Sequence, residues 1–237
     1  MLQQTRLLMG DVGLPPALAG FVFGATVFGY NFTASNRLRR WPAWVAGLAS
    51  GYCFFSLTPV QQVAAVLPAL IWLLYYDMHS GSGAGLRMHP ALKPVAIALA
   101  WTWVTVLLPL PLSQWTGAAV LFVGRAAFIF PLALAYDLCD RLYDRQHGLV
   151  TLVMQLGPRR ALRLIDAALL LAALCCGLNV ALGVYPTALA LALLASLVLS
   201  RIVIRLVTPK TAWGDWRKAV IDGLMVLQLL LVWMAKM

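Results

Sequence analysis

The sequence predicts an all-α membrane protein, one domain over residues 1–237 built as a bundle of about eight transmembrane helices, and three observations predict it. Hydrophobic residues make up 62% of the chain and charged ones 11%, with a mean hydropathy of +0.84. Soluble domains carry about 25% charged residues. The apolar residues come in runs close to the roughly 20 that cross a bilayer as helix. Lys and Arg, finally, fall on alternate connections between those runs.

In chain order the expected spans are 14–34, 42–57, 61–77, 93–110, 115–136, 161–183, 186–206 and 217–235. The N-terminal stretch before the first lacks the apolar core and small-residue cleavage site of a signal peptide, so insertion is expected to rely on the helices themselves. Gly20 with Gly24 in the first span and Gly47 with Gly51 in the second have the small-residue spacing of closely packed helices. The glycine- and serine-rich stretch 79–90 is expected to be a flexible loop. Trp41, Trp44, Tyr75, Tyr76, Trp115, Trp213 and Trp216 lie near span ends and read as interface anchors. Internal repeats and low-complexity tracts are missing from the sequence. Cys53, Cys139, Cys175 and Cys176 show no CxxC spacing, which indicates neither a disulfide framework nor a zinc site.

The connections near 58–60, 111–114 and 184–185 are short, uncharged and marked by Pro, whereas those near 35–41, 78–93, 137–163 and 201–218 are longer and basic. The basic connections hold fifteen of the eighteen Lys and Arg residues. The positive-inside rule then places them in the cytoplasm of a cell-membrane protein, with both termini outside. The net charge of +10 thus reads as membrane topology, and nucleic acid is not an expected partner.

The acids are distributed differently. There is no Glu, and three of the eight Asp residues, Asp137, Asp140 and Asp144, leave the fifth span together. At about 100° per residue they fall within about 60° of one another if the helix persists. Three carboxylates on one stripe repel unless something positive sits among them. A divalent metal answers this, since carboxylates that hold Mg²⁺ usually share it with substrate phosphates. Arg141 and Arg145 are the other answer, as in an Asp137–Arg141 i, i+4 pair on a solvated helix end.

After the stripe come Gly148-Leu-Val-Thr151-Leu152 and Leu156-Gly157-Pro158-Arg159-Arg160. This order resembles the second aspartate-rich region of UbiA-type membrane prenyltransferases. Leu92-Lys93-Pro94 and the helix after it look like the fourth cytoplasmic connection of such proteins, and Arg125-x2-Phe128-Ile129-Phe130 looks like the helix that delivers the second motif. The resemblance covers about residues 90–170; the rest matches in helix rhythm.

The resemblance implies a UbiA-like helical bundle with a cavity open to the membrane. It implies transfer of a polyprenyl group from its diphosphate to a hydrophobic acceptor, an aromatic ring or quinone precursor. Asp137, Asp140 and Asp144 would hold Mg²⁺ and the diphosphate, with Lys93, Arg125 and Arg141 as diphosphate contacts. Arg125 has three readings: the diphosphate, one of the Asp residues, or a structural ion pair, because a charge inside a span usually faces a cavity or a partner. Arg87 reads as topological charge.

The sequence also departs from that family. Where the first aspartate-rich motif, Asn-Asp-x2-Asp-x3-Asp, is expected, Asn31 matches but Phe32, Ser35 and Arg39 stand at the three Asp positions. Arg37, Arg39 and Arg40 could bind diphosphate in place of the lost metal, since Arg forms forked bonds to phosphate; the alternative is again topological charge. The family pattern has nine helices with a cytoplasmic N-terminus, and loss of the first helix accounts for both differences. Two functions remain: an Mg²⁺-dependent prenyltransferase, which is favoured, and a non-catalytic relative that binds a prenyl lipid or quinone or serves as a membrane partner.

Overall fold

A computed structural model describes residues 1–10, 13–32, 40–76, 89–146, 150–208 and 216–237. Every regular element among the described residues is helical. A helix occupies each of the eight apolar stretches: α2 (Pro16–Phe32), α3 (Arg40–Phe55), α4 (Pro59–Tyr76), α5 (Leu92–Thr102), α6 (Ala119–Gln146), α8 (Pro158–Ala181), α9 (Thr187–Val207) and α10 (Trp216–Lys236). Two short helices, α1 (Leu2–Leu8) and α7 (Leu152–Leu156), carry no span-length signal in the sequence.

Among the described residues four helices, α6, α8, α9 and α10, are long and apolar enough to cross a membrane. At 17 and 16 residues, α2 and α3 rise only about 24–26 Å, against a hydrocarbon core of about 30 Å. Large apolar side chains nevertheless face outward along α3, where Trp41, Trp44, Leu48, Tyr52 and Phe55 are all exposed. Their spacing of three or four residues makes one continuous apolar stripe, a surface suited to lipid contact and costly in water.

Local chemistry sets several helix ends. Thr58 and Gln61 form a reciprocal cap at the start of α4, with the Thr58 amide donating to Gln61 Oε1 (3.2 Å) and the Gln61 amide to Thr58 Oγ1 (3.4 Å). Gly157 joins α7 to α8 at φ 77°, a left-handed conformation that only glycine adopts without strain, and Pro158 follows at the first helical position. α5 continues into a π-helical turn over Trp103–Leu107, closed by the Leu108 amide donating to the Trp103 carbonyl at 3.2 Å. The Thr105 carbonyl has Pro109, without an N–H, at its i+4 position, and it accepts a 2.6 Å bond from Thr5 Oγ1. Seven residues of helix are marginal alone, so α1 owes its existence to this docking and to the burial of Gln4, Thr5, Leu7 and Leu8.

The main core joins α1, α5, α6 and α8–α10, and a smaller one joins α2 and α4 with Leu108. Trp103 Nε1 donates to the Ala64 carbonyl (2.8 Å) and Gln61 Nε2 to the Leu108 carbonyl (3.3 Å), which tie α4 to the α5 region. Of the four small-residue positions, Gly20, Gly24 and Gly47 meet the opposite helix of the α2–α3 pair, at Cys53, Ala46 with Ser50, and Phe28. Nothing lies within 4 Å of where a Gly51 side chain would begin, so the second pair contributes one close approach and not two.

α8 and α9 are clamped by Asp166, which accepts from Arg201 Nε at 2.9 Å and from Arg205 Nη2. Both arginines are about half exposed, and such pairs contribute little. Asp166→Asn is therefore expected to change unfolding free energy by less than about 1 kcal/mol, measured by denaturant titration in micelles.

Candidate functional site

The aspartate stripe stays helical. α6 runs unbroken from Ala119 to Gln146, well past the expected end at 136, so Asp137, Asp140 and Asp144 do share one face. That face turns inward: Asp137 and Asp144 are buried, and Asp140 is half-buried. A solvated helix end does not describe it.

The charges that balance the stripe come from other helices. Lys93 Nζ, in the first turn of α5, donates to Asp137 Oδ1 at 2.5 Å. Lys218 Nζ, in the first turn of α10, lies 2.7 Å from Asp140 Oδ1. Arg217 beside it is buried. The i, i+4 pair between Asp137 and Arg141 does not form among the described residues. Each lysine sits at an unfavourable place on its own helix, since a cation in a first turn opposes the helix dipole. Pairing with a carboxylate on α6 offsets that cost. The Tyr136 hydroxyl completes the group, within hydrogen-bonding reach of Asp222 and donating to the Lys218 carbonyl at 3.3 Å.

The structure thus joins Lys93 to the stripe and separates Arg125 from it. Arg125 lies twelve residues before Asp137 on α6, about 18 Å away along the axis, bonded to Gln4 and Gln228. Of its three readings from sequence, contact with the Asp cluster is removed. No carboxylate pairs with it among the described residues. Arg141 is half-buried on α6 and makes no ion pair among the described residues. Arg37, Arg39 and Arg87 lie outside the described residues; Arg40 opens α3, but its side chain also lies outside them.

Sequence reasoning passed over Lys218, Arg217 and Asp222, reading the two cations only as topological charge. The signal available was their position in the first turn of an apolar helix. Which carboxylates they would meet depends on α10 packing against α6, which local spacing does not encode.

As a cation site the cluster is incomplete. Among the described residues no three His, Cys, Asp or Glu side chains come together as a metal cage. One oxygen each of Asp137 and Asp140 is taken by a lysine. Asp137 Oδ2, however, is buried with no hydrogen-bond partner among the described residues, an acceptor that chemistry requires to be filled. This donor set fits Mg²⁺ as a guest that arrives with phosphate oxygens, because Mg²⁺ is commonly held by one or two carboxylates plus substrate. It does not fit a self-sufficient protein cage.

Fold and site together define an all-helical protein with membrane-length helices and a buried carboxylate–lysine cluster at one end of them. No protein-family model, curated protein or solved structure matches the chain.

Proposed function

We propose that this chain is an integral membrane prenyltransferase of UbiA-like architecture, with about eight spans and the Asp cluster on the cytoplasmic side. It would transfer a polyprenyl group from its diphosphate to an aromatic or quinone-precursor acceptor. The observation that carries this reading is Asp137: a buried carboxylate with one oxygen on Lys93 and the other without a partner among the described residues, on the same face as Asp140 and Asp144. Asp137 and Asp140 are the residues that would hold Mg²⁺, which when bound supplies charge neutralisation for a leaving diphosphate. Lys93, Lys218 and Arg217 add fixed positive charge, and the first turn of α10 adds oriented backbone N–H groups, both favourable to phosphate.

The test is binding of labelled prenyl diphosphate to purified protein with and without Mg²⁺, in wild type and Asp140→Ala. Binding is expected to need Mg²⁺ and to weaken about 10- to 100-fold in the variant, the value of a charge-assisted contact of about 1.5–3 kcal/mol. Affinity indifferent to both Mg²⁺ and Asp140 sinks the proposal.

A second reading, a non-catalytic homologue that binds a prenyl lipid or quinone, is favoured by Phe32, Ser35 and Arg39 at the first motif and by the lysines on Asp137 and Asp140. Mass spectrometry of products with a panel of aromatic acceptors separates the two. Diphosphate bound but never consumed selects the second.

A further inference from the structure

At the other end of α6, Arg125 is 4% exposed and lines a cavity with apolar walls such as Phe128, where Asn179, Tyr185, Gln228 and the thiols of Cys175 and Cys176 are the other polar groups. All its hydrogen bonds run through one nitrogen: Nη1 donates to Met1 Sδ, to Gln4 Oε1 at 2.5 Å and to Gln228 Oε1 at 3.4 Å. Its Nε–H and Nη2 protons meet no acceptor among the described residues. The three acceptors it does have are neutral. A full positive charge taken out of water costs several kcal/mol unless an opposite charge accompanies it, and a guanidinium stays protonated.

Gln228 is itself held, with Nε2 donating to Ser196 Oγ at 3.0 Å. Gln4 holds its oxygen on Arg125 and leaves Nε2 buried without an acceptor among the described residues, a further donor beside the guanidinium. The cavity measures about 30 Å³, room for about two water-sized groups. That size excludes a diphosphate or an aromatic ring.

We propose that Arg125 and this cavity form a binding site for one small monovalent anionic group. It is either a halide ion from solution or the carboxylate end of a fatty acid from the bilayer. The guanidinium supplies the charge and two free donor directions. The volume leaves a place for one water, and Asn179 Oδ1, buried with no hydrogen-bond partner among the described residues, is its acceptor. The site stands apart from the Asp cluster by the length of α6 between them and does not depend on how that cluster functions.

The experiment uses the full chain in micelles at constant ionic strength, with gluconate, too bulky for the cavity, as the reference anion. Thermal unfolding is followed as chloride or bromide replaces gluconate, and in a separate arm as oleate or uncharged methyl oleate is added. ³⁵Cl NMR line broadening, with bromide as competitor, reads occupancy directly on wild type. The expected result is a midpoint that rises with halide, or with oleate but not methyl oleate, and that no longer responds in Arg125→Gln. Broadening that bromide reverses identifies the halide as the source. Equal midpoints in all anions together with no reversible broadening overturn the proposal, as does an undiminished response in Arg125→Gln. Because the wild-type arms decide the matter alone, a variant that fails to fold does not obscure the outcome.

Discussion

Lys93→Met is expected to destabilise the chain by about 3–5 kcal/mol, the usual cost of stranding one member of a buried ion pair. Asp137→Leu should cost distinctly less. The reason is the unequal burial of the two partners: the Asp137 side chain is 5% exposed, and that of Lys93 is 21% exposed. A lysine freed of its carboxylate can extend its ammonium toward water along its own stem. An aspartate freed of its lysine has nowhere to go, and one of its oxygens already has no donor among the described residues. The double variant Lys93→Met/Asp137→Leu should recover most of the loss, since replacing both members of a buried pair is often nearly neutral. Denaturant unfolding of the four proteins in micelles gives the coupling energy. Equal costs for the two single variants, or additive costs in the double, would show that the pair is not the buried contact described here. The same proteins also serve the functional question. A double variant that folds well but no longer binds prenyl diphosphate separates the loss of the site from the loss of the fold.

Gly24→Leu is the second large effect. A Cβ added at Gly24 would lie 2.8 Å from the Ala46 carbonyl oxygen and 2.9 Å from Ser50 Cβ. Two of its three nearest atoms are backbone, so no side-chain rotation relieves the clash, and α2 and α3 must move apart. Separation also breaks the 2.9 Å bond from Ser50 Oγ to the Phe21 carbonyl. Overpacking of this kind costs about 1–3 kcal/mol or more. Gly51→Leu provides the control, because nothing lies within 4 Å of its Cβ position. It should match or exceed wild type in stability, since Gly is about 1 kcal/mol poorer than Ala within a helix and Leu is close to Ala. Thermal unfolding in micelles reads both. A Gly24→Leu midpoint equal to that of Gly51→Leu would refute the close α2–α3 contact.

Much of the fold was legible because it rests on the two signals that local sequence carries best. Apolar run length located a helix at each of the eight stretches, and Pro and basic residues marked the connections between them. α1 and α7 escaped because seven and five residues cannot be helical on their own account. α1 folds on the Thr105 carbonyl, about a hundred residues away, and α7 is set between the main core and Gly157. The glycine spacing behaved similarly. The pattern marked α2 and α3 as helices that pack closely, but that they pack on each other, and that Gly51 meets nothing within 4 Å, depended on which way the helices rotated.

The site divided along the same line. That Asp137, Asp140 and Asp144 share a face follows from helix geometry alone, and the uninterrupted α6 realises it. Their charge partners do not follow from it. Arg141, the neighbour at helical spacing, makes no ion pair among the described residues, whereas Lys93 and Lys218 come from 44 and 78 positions away. Arg125 shows the converse: as a charge inside a span it was rightly expected to face a cavity or a partner, but its cavity lies at the opposite end of the helix from the cluster it was grouped with. Composition, run length and period are properties of neighbouring residues, and they suffice for the helices and for the aspartate stripe. The ion pairs, the Arg125 cavity and the docking of α1 depend on how helices distant in the chain pack together, because the groups that meet at each lie on different helices.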